Sequence, residues 1–94
     1  MNIGLAIRDS RKAKGLSQKE LAERCELSAN ALCQLELNNT FPQKRTLEAI
    51  SEVLGVSVAY LVFKSITKDD VSEEKAEMFE YLKKPLESYL SESK

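Results

Sequence analysis

Cysteine and histidine usage decides which reactions the side chains of this chain can support. Cys25 and Cys33 form no C-x-x-C pair, and the chain contains no His. A zinc site or a Cys/His nucleophile is therefore not expected, and the carboxylates and lysines show no clustered arrangement for acid–base catalysis. We predict no enzymatic activity, no metal and no cofactor. Both thiols are expected to be reduced, with Cys25 in the core and Cys33 an incidental small residue, the alternative for Cys33 being an oxidant sensor.

Recognition through hydrogen bonds is the other chemistry that the residue types allow. The outward positions of a predicted helix that follows Ser28 hold Ala29, Asn30, Cys33 and Gln34. This polar face could enter a groove, because each amide side chain offers both donors and an acceptor. Taken alone, Asn30 and Gln34 are more typical of a solvated surface, and only the surrounding pattern favours a binding role.

The surrounding pattern is that of two helices joined by a tight turn. Over the twenty positions from Gln18, apolar or small residues stand at Leu21, Ala22, Cys25, Leu27, Leu32 and Leu35. Helices that cross steeply over a short turn need a small side chain where they touch, which Ala22 supplies, and Leu27 fills the turn. The spacing therefore predicts a helix-turn-helix.

Periodicity and capping residues predict five short helices in the first two thirds of the chain. Ser17 with Glu20 forms a capping box, and Gly15 and Gly55 supply left-handed helix ends. The expected ranges are about 3–14, 18–25, 29–38, 43–54 and 58–63. The last helix is apolar nearly all round, so it must be buried on more than one side or form an interface.

Length and composition favour one small all-α unit. The 94 residues are 43% hydrophobic and 31% charged, with 3 Gly and 2 Pro, as in ordinary globular proteins. No apolar run is long enough to cross a membrane, and the first residues do not have the pattern of a signal peptide. We expect a cytoplasmic protein without a membrane partner.

Charge divides the chain into two parts. Residues 1–64 carry nine basic and seven acidic side chains, a net charge of plus 2, whereas residues 65–94 carry five and eight, a net charge of minus 3. Such asymmetry suggests two roles. We assign residues 1–64 to the helix-turn-helix domain and residues 65–94 to a connector and a C-terminal helix that serves oligomerisation.

The C-terminal helix is predicted to begin at Asp70 or Ser72 and to carry a continuous apolar stripe. The stripe consists of Met78, Phe79, Leu82, Leu86, Tyr89 and Leu90. Pro85 either kinks this helix or begins a second one. The stripe could brace the domain, form a dimer or receive a protein antagonist. We favour an oligomer interface built from Val58, Leu61, Met78, Phe79, Leu82 and Leu86.

Four segments of the chain resemble the Xre family of phage repressor-like helix-turn-helix regulators. They are Leu16–Ala22, Leu35–Glu36, Pro42 and Leu54–Ser57. The similarity extends over about residues 3–63 and implies a compact five-helix, phage repressor-like domain, here with a C-terminal helical extension. It also implies double-stranded DNA as the partner.

In that family the third helix lies in the major groove, so the resemblance implies which residues read bases. They are Ser28, Ala29, Asn30, Cys33 and Gln34. Asn30 and Gln34 each match the donor and acceptor of adenine, and the methyl group of Ala29 can pack against thymine.

The resemblance further implies contacts to the DNA backbone and one structural pair. The backbone contacts would come from Gln18, Lys19, Asn39, Thr40, Lys44 and Arg45. Arg11 and Glu36 match a pair that joins the first helix to the end of the third. The predicted third helix has no Lys or Arg, so few phosphate contacts and weak nonspecific binding are expected.

Two residues depart from the family pattern at positions where Gly is usual. Glu26 stands in the turn and Asn38 follows the third helix. A residue with a side chain pays roughly 1–2 kcal/mol in left-handed backbone, whereas Asn adopts it more readily. We expect a reshaped turn at Glu26.

These observations lead to one function and one rival. The leading hypothesis is a bacterial or phage transcriptional regulator, with repression favoured over activation, that binds a pseudo-palindromic operator as a homodimer. The alternative is a protein-interaction module, such as an antitoxin or a regulator-binding partner, in which the third helix does not read bases.

Overall fold

The chain folds into α-helices joined by short turns. A computed structural model describes residues 1–92, and their side chains except at 68 and 90–92. The helices are α1 (Ile3–Lys14), α2 (Gln18–Arg24), α3 (Ala29–Glu36), α4 (Lys44–Leu54), α5 (Val58–Ser65) and α6 (Ala76–Glu92), with 3₁₀ turns at Lys68–Asp70 and Glu73–Lys75. Residues 1–92 contain no strand, and the all-α class is confirmed.

Local sequence signals set most helix ends in residues 1–65. The side chain of Asn2 accepts a hydrogen bond from the backbone three residues on, at 2.9 Å, and so caps α1. Gly15 and Gly55 end α1 and α4 with φ of 78° and 72°, backbone angles that favour glycine. Ser57 caps α5 through its hydroxyl at 3.0 Å.

One hydrophobic core joins α1 to α5. Its fully buried side chains are Ile3, Ile7, Leu21, Leu32, Ile50 and Leu61. The prediction of Leu61 at an oligomer interface is wrong, because its side chain is 0% exposed within the monomer itself. Val58 packs partly against the same core. The apolar surface of α5 is thus used mainly inside the domain.

The start of α1 lies against the end of α3. A Cβ atom on Gly4 would sit 2.3 Å from the carbonyl oxygen of Leu35 and 2.7 Å from that of Glu36. Only a residue without a side chain permits this approach. The position of the α3 C-terminus is therefore fixed by backbone-to-backbone packing.

The sixth helix begins later than the sequence predicted. The α-helix starts at Ala76, directly after the 3₁₀ turn Glu73–Lys75, for which the predicted start residue Ser72 is the N-cap. Asp70 does not begin the helix, since its carboxylate turns back to other partners. It pairs with the N-terminal amine at 2.6 Å and accepts from the backbone N–H of Thr67 at 2.8 Å. These two hydrogen bonds, the first above all, lower the pKa of Asp70.

Pro85 lies inside α6, and one helix continues through it to Glu92. The helix rests on α5 along one edge. Phe79 packs on Phe63 with ring centroids 6.3 Å apart, and the Lys83 ammonium donates to the carbonyl oxygen of Ile66 at 3.1 Å. One residue of the predicted apolar stripe, Phe79, thereby braces the domain.

No single helix among residues 1–92 has the length and apolar character needed to cross a membrane. By length and composition alone, only α4 and α5 taken together could do so, and they are bent by 103° relative to each other.

Candidate nucleic-acid interface

A capping box fixes the start of α2. The Ser17 hydroxyl accepts from the backbone N–H of Glu20 at 3.0 Å, and the Glu20 carboxylate accepts from the backbone N–H of Ser17 at 2.9 Å. The hydrogen bond from the Ser17 backbone is the main reason why the pKa of Glu20 is lowered. Both orphan donors are satisfied, so the first turn of α2 is well defined.

The turn between α2 and α3 keeps the left-handed geometry that is usual for Gly at the position of Glu26, so the expectation of a reshaped turn is wrong. Glu26 has φ of 58°, and the next residue, Leu27, donates its N–H to the carbonyl oxygen of Ala22 at 2.8 Å. Ala22 is 2% exposed where the two helices meet. Beside it Cys25 packs against the core, and burial raises the pKa of its thiol.

The residues predicted to read bases lie at the start and along the outer side of α3. Ser28, Ala29 and Asn30 are exposed, whereas Cys33 and Gln34 are half-buried. The Ser28 hydroxyl caps α3 by accepting from the backbone N–H of Ala31 at 3.0 Å. It thus has a structural role, and its hydroxyl proton remains a possible donor.

A buried ion pair holds α3 from behind. Arg11 donates from Nε and Nη2 to the two carboxylate oxygens of Glu36, at 2.7 and 3.0 Å. A third donor of Arg11 reaches the carbonyl oxygen of Leu16 at 2.9 Å. The predicted pair therefore joins α1 to α3 with the bidentate geometry that gives such pairs their directionality.

Gln18 has an intramolecular partner that the sequence analysis missed. Its amide nitrogen donates to the Glu36 carboxylate at 3.0 Å, so α2 joins the same network. No sequence signal links positions 18 and 36, because their proximity follows from how α2 crosses α3. A phosphate contact by Gln18 would have to use the second amide hydrogen.

The end of α3 is a Schellman motif, in which two backbone hydrogen bonds close the helix around a left-handed residue. Asn38 has φ of 62°, its N–H donates to the carbonyl oxygen of Leu35 at 3.0 Å, and the N–H of Asn39 donates to that of Gln34 at 3.0 Å. The Asn39 side chain then donates from Nδ2 to Oε1 of Gln34 at 2.9 Å. Asn39, which was predicted to contact the DNA backbone, is thereby hydrogen-bonded to Gln34, which was predicted to contact a base.

The other residues predicted to contact the DNA backbone are all exposed. They are Lys19 in α2, Thr40 in the loop, and Lys44 and Arg45 in the first turn of α4. That turn contains no acidic residue, and Gln43 provides no side-chain cap. Phe41, in the same loop, is 63% exposed.

The C-terminal helix presents an apolar surface on the edge that does not pack on α5. We call it the tail face and define it as Met78, Leu82 and Leu86, which are 66%, 45% and 42% exposed. Tyr89 is also exposed, and the side chain of Leu90 lies outside the described residues.

Comparison with known proteins identifies the family. A family model described as helix-turn-helix matches residues 7–61. The chain belongs to the helix-turn-helix family. The resemblance to Xre-type, phage repressor-like regulators that its sequence indicated is confirmed by this match and by the relatives of this helix-turn-helix protein.

One curated relative is an immunity repressor and another is an HTH-type transcriptional regulator. The immunity repressor protein of Bacillus phage phi105 is 35% identical over 77 residues, which are 82% of this chain and 51% of the relative. SinR of Bacillus subtilis is 43% identical over 61 residues, 64% of this chain and 55% of SinR. The chain spans about half the length of the curated relatives that it matches.

Two solved structures of SinR resemble this helix-turn-helix protein. SinR in complex with DNA has a TM-score of 0.61 and 41% identity, covering 64% of this chain and 97% of that chain. The complex of SinR with SinI has a TM-score of 0.64 and 34% identity, covering 81% of this chain and 73% of that chain.

Proposed function

We propose that this protein is a sequence-specific DNA-binding transcriptional regulator that represses by occupying a pseudo-palindromic operator as a homodimer. The observation that carries the proposal is the buried anchoring of α3 by Arg11 and Glu36, at 2.7 Å, behind an exposed Asn30. A helix that is anchored on its buried side and carries amide side chains on its exposed side suits base recognition. The similarity to SinR, whose structure was solved in complex with DNA, supports the same function.

Base reading is assigned to the outer side of α3. Asn30 can pair with adenine in the major groove, Ala29 can contact a thymine methyl group, and Ser28, Cys33 and Gln34 complete the contact surface. The exposure of Asn30 and Ala29 supports this assignment. No step of this function requires chemistry beyond binding, so we propose no enzymatic activity.

Contacts to the phosphates are assigned to the start of α4 and its neighbours. Lys44 and Arg45 place two cations in a first helical turn that has no acidic residue, where the positive end of the helix dipole disfavours them in the free protein. A phosphate at that position would be attracted by the dipole and by both cations. Lys19, Gln18, Asn39 and Thr40 would add contacts on either side.

A homodimer would bring two copies of α3 to successive major grooves, about 34 Å apart. We assign the dimer contact to residues 65–94 through the tail face, and DNA binding to residues 1–64. Val58 and Phe79, which pack inside the domain, are left out of this contact. The exposed apolar side chains of Met78, Leu82 and Leu86 support this assignment. We place such a regulator in the cytoplasm, where bacterial DNA lies.

The test is selection from a random duplex DNA pool at near-physiological salt, followed by sequencing of the retained duplexes. The wild-type protein is expected to enrich an inverted repeat. The Asn30→Ala, Gln34→Ala double variant is expected to lose it, because the amides that match base edges are gone. A matched control, Glu48→Gln with Glu52→Gln, changes two exposed side chains of α4 and should enrich the same repeat.

A protein-interaction module is the second candidate, and the tail face favours it. The similarity to SinR includes its complex with SinI, over 81% of this chain, so a protein partner or antagonist could occupy the tail face. If the folded protein enriches no DNA sequence, this candidate replaces the first. If an inverted repeat is enriched, a partner on the tail face would act as an antagonist of DNA binding.

A further inference from the structure

The helix end that follows the proposed base-reading residues contains a polar contact where apolar contact is usual. In a Schellman motif the side chain two residues past the helix cap approaches the side chain three residues before it, commonly through hydrophobic groups. Here those positions hold Asn39 and Gln34, and Asn39 Nδ2 donates to Gln34 Oε1 at 2.9 Å. The backbone geometry of the motif therefore places these two side chains within hydrogen-bond distance.

The surroundings hold this helix end in place. Gly4 approaches the motif so closely that a Cβ would lie 2.9 Å from the backbone nitrogen of Asn38. The Gly4 N–H also points to Oδ1 of Asn38, at 3.4 Å. Since α1 packs against the inner side of the turn, the backbone that carries Asn39 is held beside Gln34.

The hydrogen bond with Asn39 changes what Gln34 can offer to DNA. With Oε1 turned toward Asn39 and one of its two lone pairs engaged, the Gln34 amide is oriented by this contact, and the described residues provide no partner for the two N–H donors of its nitrogen. Guanine displays two acceptors in the major groove, N7 and O6, whereas adenine displays one acceptor and one donor. A Gln34 amide fixed in this orientation matches guanine better than adenine.

We propose that Asn39 is a positioning residue that orients the Gln34 amide and thereby sets a preference for guanine at the base pair that Gln34 contacts. This inference rests on the proposed function and replaces the adenine preference that the residue type alone implies for Gln34. Asn39 need not touch DNA to have this effect.

The experiment compares the base preferences of four proteins, the wild type and three variants of the 94-residue chain, in the same duplex selection. Gln34→Ala first identifies the base pair at which preference is lost. At that pair the wild-type protein is expected to prefer guanine over adenine by about tenfold, a typical effect of one good base contact. Asn39→Ala frees the amide to rotate and is expected to bring the two bases within about twofold of each other.

Asn39→Asp is the decisive variant. A carboxylate only accepts hydrogen bonds, so it would hold the amide nitrogen of Gln34 and leave Oε1 free to accept from adenine. The preference is then expected to reverse from guanine to adenine. Overall affinity should fall for every sequence, because the added charge repels phosphate, and this uniform loss is distinct from a change in base preference.

Two further measurements separate this inference from the proposed function. The Asn39 side-chain amide protons should exchange with solvent more slowly in the free wild-type protein than in Gln34→Ala. Replacement of the guanine by 7-deazaguanine should weaken wild-type binding, because N7 is lost. If an inverted repeat is enriched but all Asn39 variants keep the wild-type base preference, the orienting role is wrong and DNA binding stands. If no sequence is enriched, both the orienting role of Asn39 and the proposed DNA-binding function are wrong.

Discussion

At the scale of single residues, the Arg11–Glu36 pair is the contact on which the position of α3 most depends. Its side chains are only 10% and 3% exposed, so water cannot replace either partner. A buried ion pair adds little stability compared with an apolar pair of similar size. Removal of one partner, however, leaves a buried charge unpaired and is destabilising. Glu36 also receives the amide of Gln18, which makes it the common acceptor of α1 and α2.

Glu36→Ala is therefore expected to destabilise the fold strongly, by about 3–5 kcal/mol. The free energy of unfolding from urea titration followed by circular dichroism checks this. The paired variant Arg11→Met, Glu36→Leu should be markedly more stable than Glu36→Ala, because no charge is left buried. A loss of less than about 1 kcal/mol in Glu36→Ala, as for exposed pairs, would contradict the anchoring role.

Single residues also show where sequence reasoning ends. The family resemblance located Arg11 and Glu36 and the exposed amide of Asn30, since each occupies a recognisable position. It did not locate the Asn39–Gln34 contact or the Gln18–Glu36 contact. Both depend on how a chain reversal or a helix crossing brings distant side chains together, and neither leaves a periodic signal.

At the scale of helices, capping decides where the helix-turn-helix begins. The Glu20 carboxylate accepts from the Ser17 backbone, and this hydrogen bond and a second one with the Ser17 side chain lower the pKa of Glu20 below 4.5. A carboxyl group with a lowered pKa in the folded state stabilises the fold above the pKa that it has when unfolded. That contribution is lost as the pH falls through the lower, folded value.

Glu20→Gln is expected to lower stability at neutral pH and to make little difference in acid. The measurement is the urea midpoint of wild type and variant from pH 7 down to pH 3. The gap between the two proteins should narrow below about pH 4.5, the ordinary pKa of this carboxyl group. A gap that stays constant over this range would mean that the ionised carboxylate does not contribute to the cap.

Helix ends explain which parts of the fold were predictable. The ends of α1, α2 and α4 follow from Gly15, the Ser17 capping box and Gly55, which act within a few residues. The connector after α5 was predicted, but its 3₁₀ turns were not, because Asp70 takes the N-terminal amine as its partner. That contact joins residues 69 positions apart in the chain.

At the scale of the whole molecule, α6 has two different edges. One edge packs on α5 through Phe79 and Phe63, and the other exposes the tail face. A continuous apolar stripe indicates burial but does not distinguish a brace from an interface. The sequence analysis left these alternatives open, and the packing of Phe79 shows that part of the stripe is a brace.

Leu82→Lys should convert the proposed dimer to a monomer without unfolding it, because Leu82 is 45% exposed in the single chain. Sedimentation analysis measures the assembly, and circular dichroism checks the fold. Glu80→Lys introduces the same residue at another exposed position of α6 and should leave the dimer intact. If both variants remain dimers, the tail face is not the interface.

The central claim is that α3 reads bases while other residues bind phosphate. The most direct measurement is the affinity of wild type and the Asn30→Ala, Gln34→Ala variant for the selected repeat and for a shuffled duplex, at several salt concentrations. We predict that the variant loses most of its preference for the selected repeat, measured as the ratio of its affinities for the two duplexes. The dependence of its affinity on salt, which reports phosphate contacts, should stay the same. An unchanged ratio in the folded variant would contradict the claim.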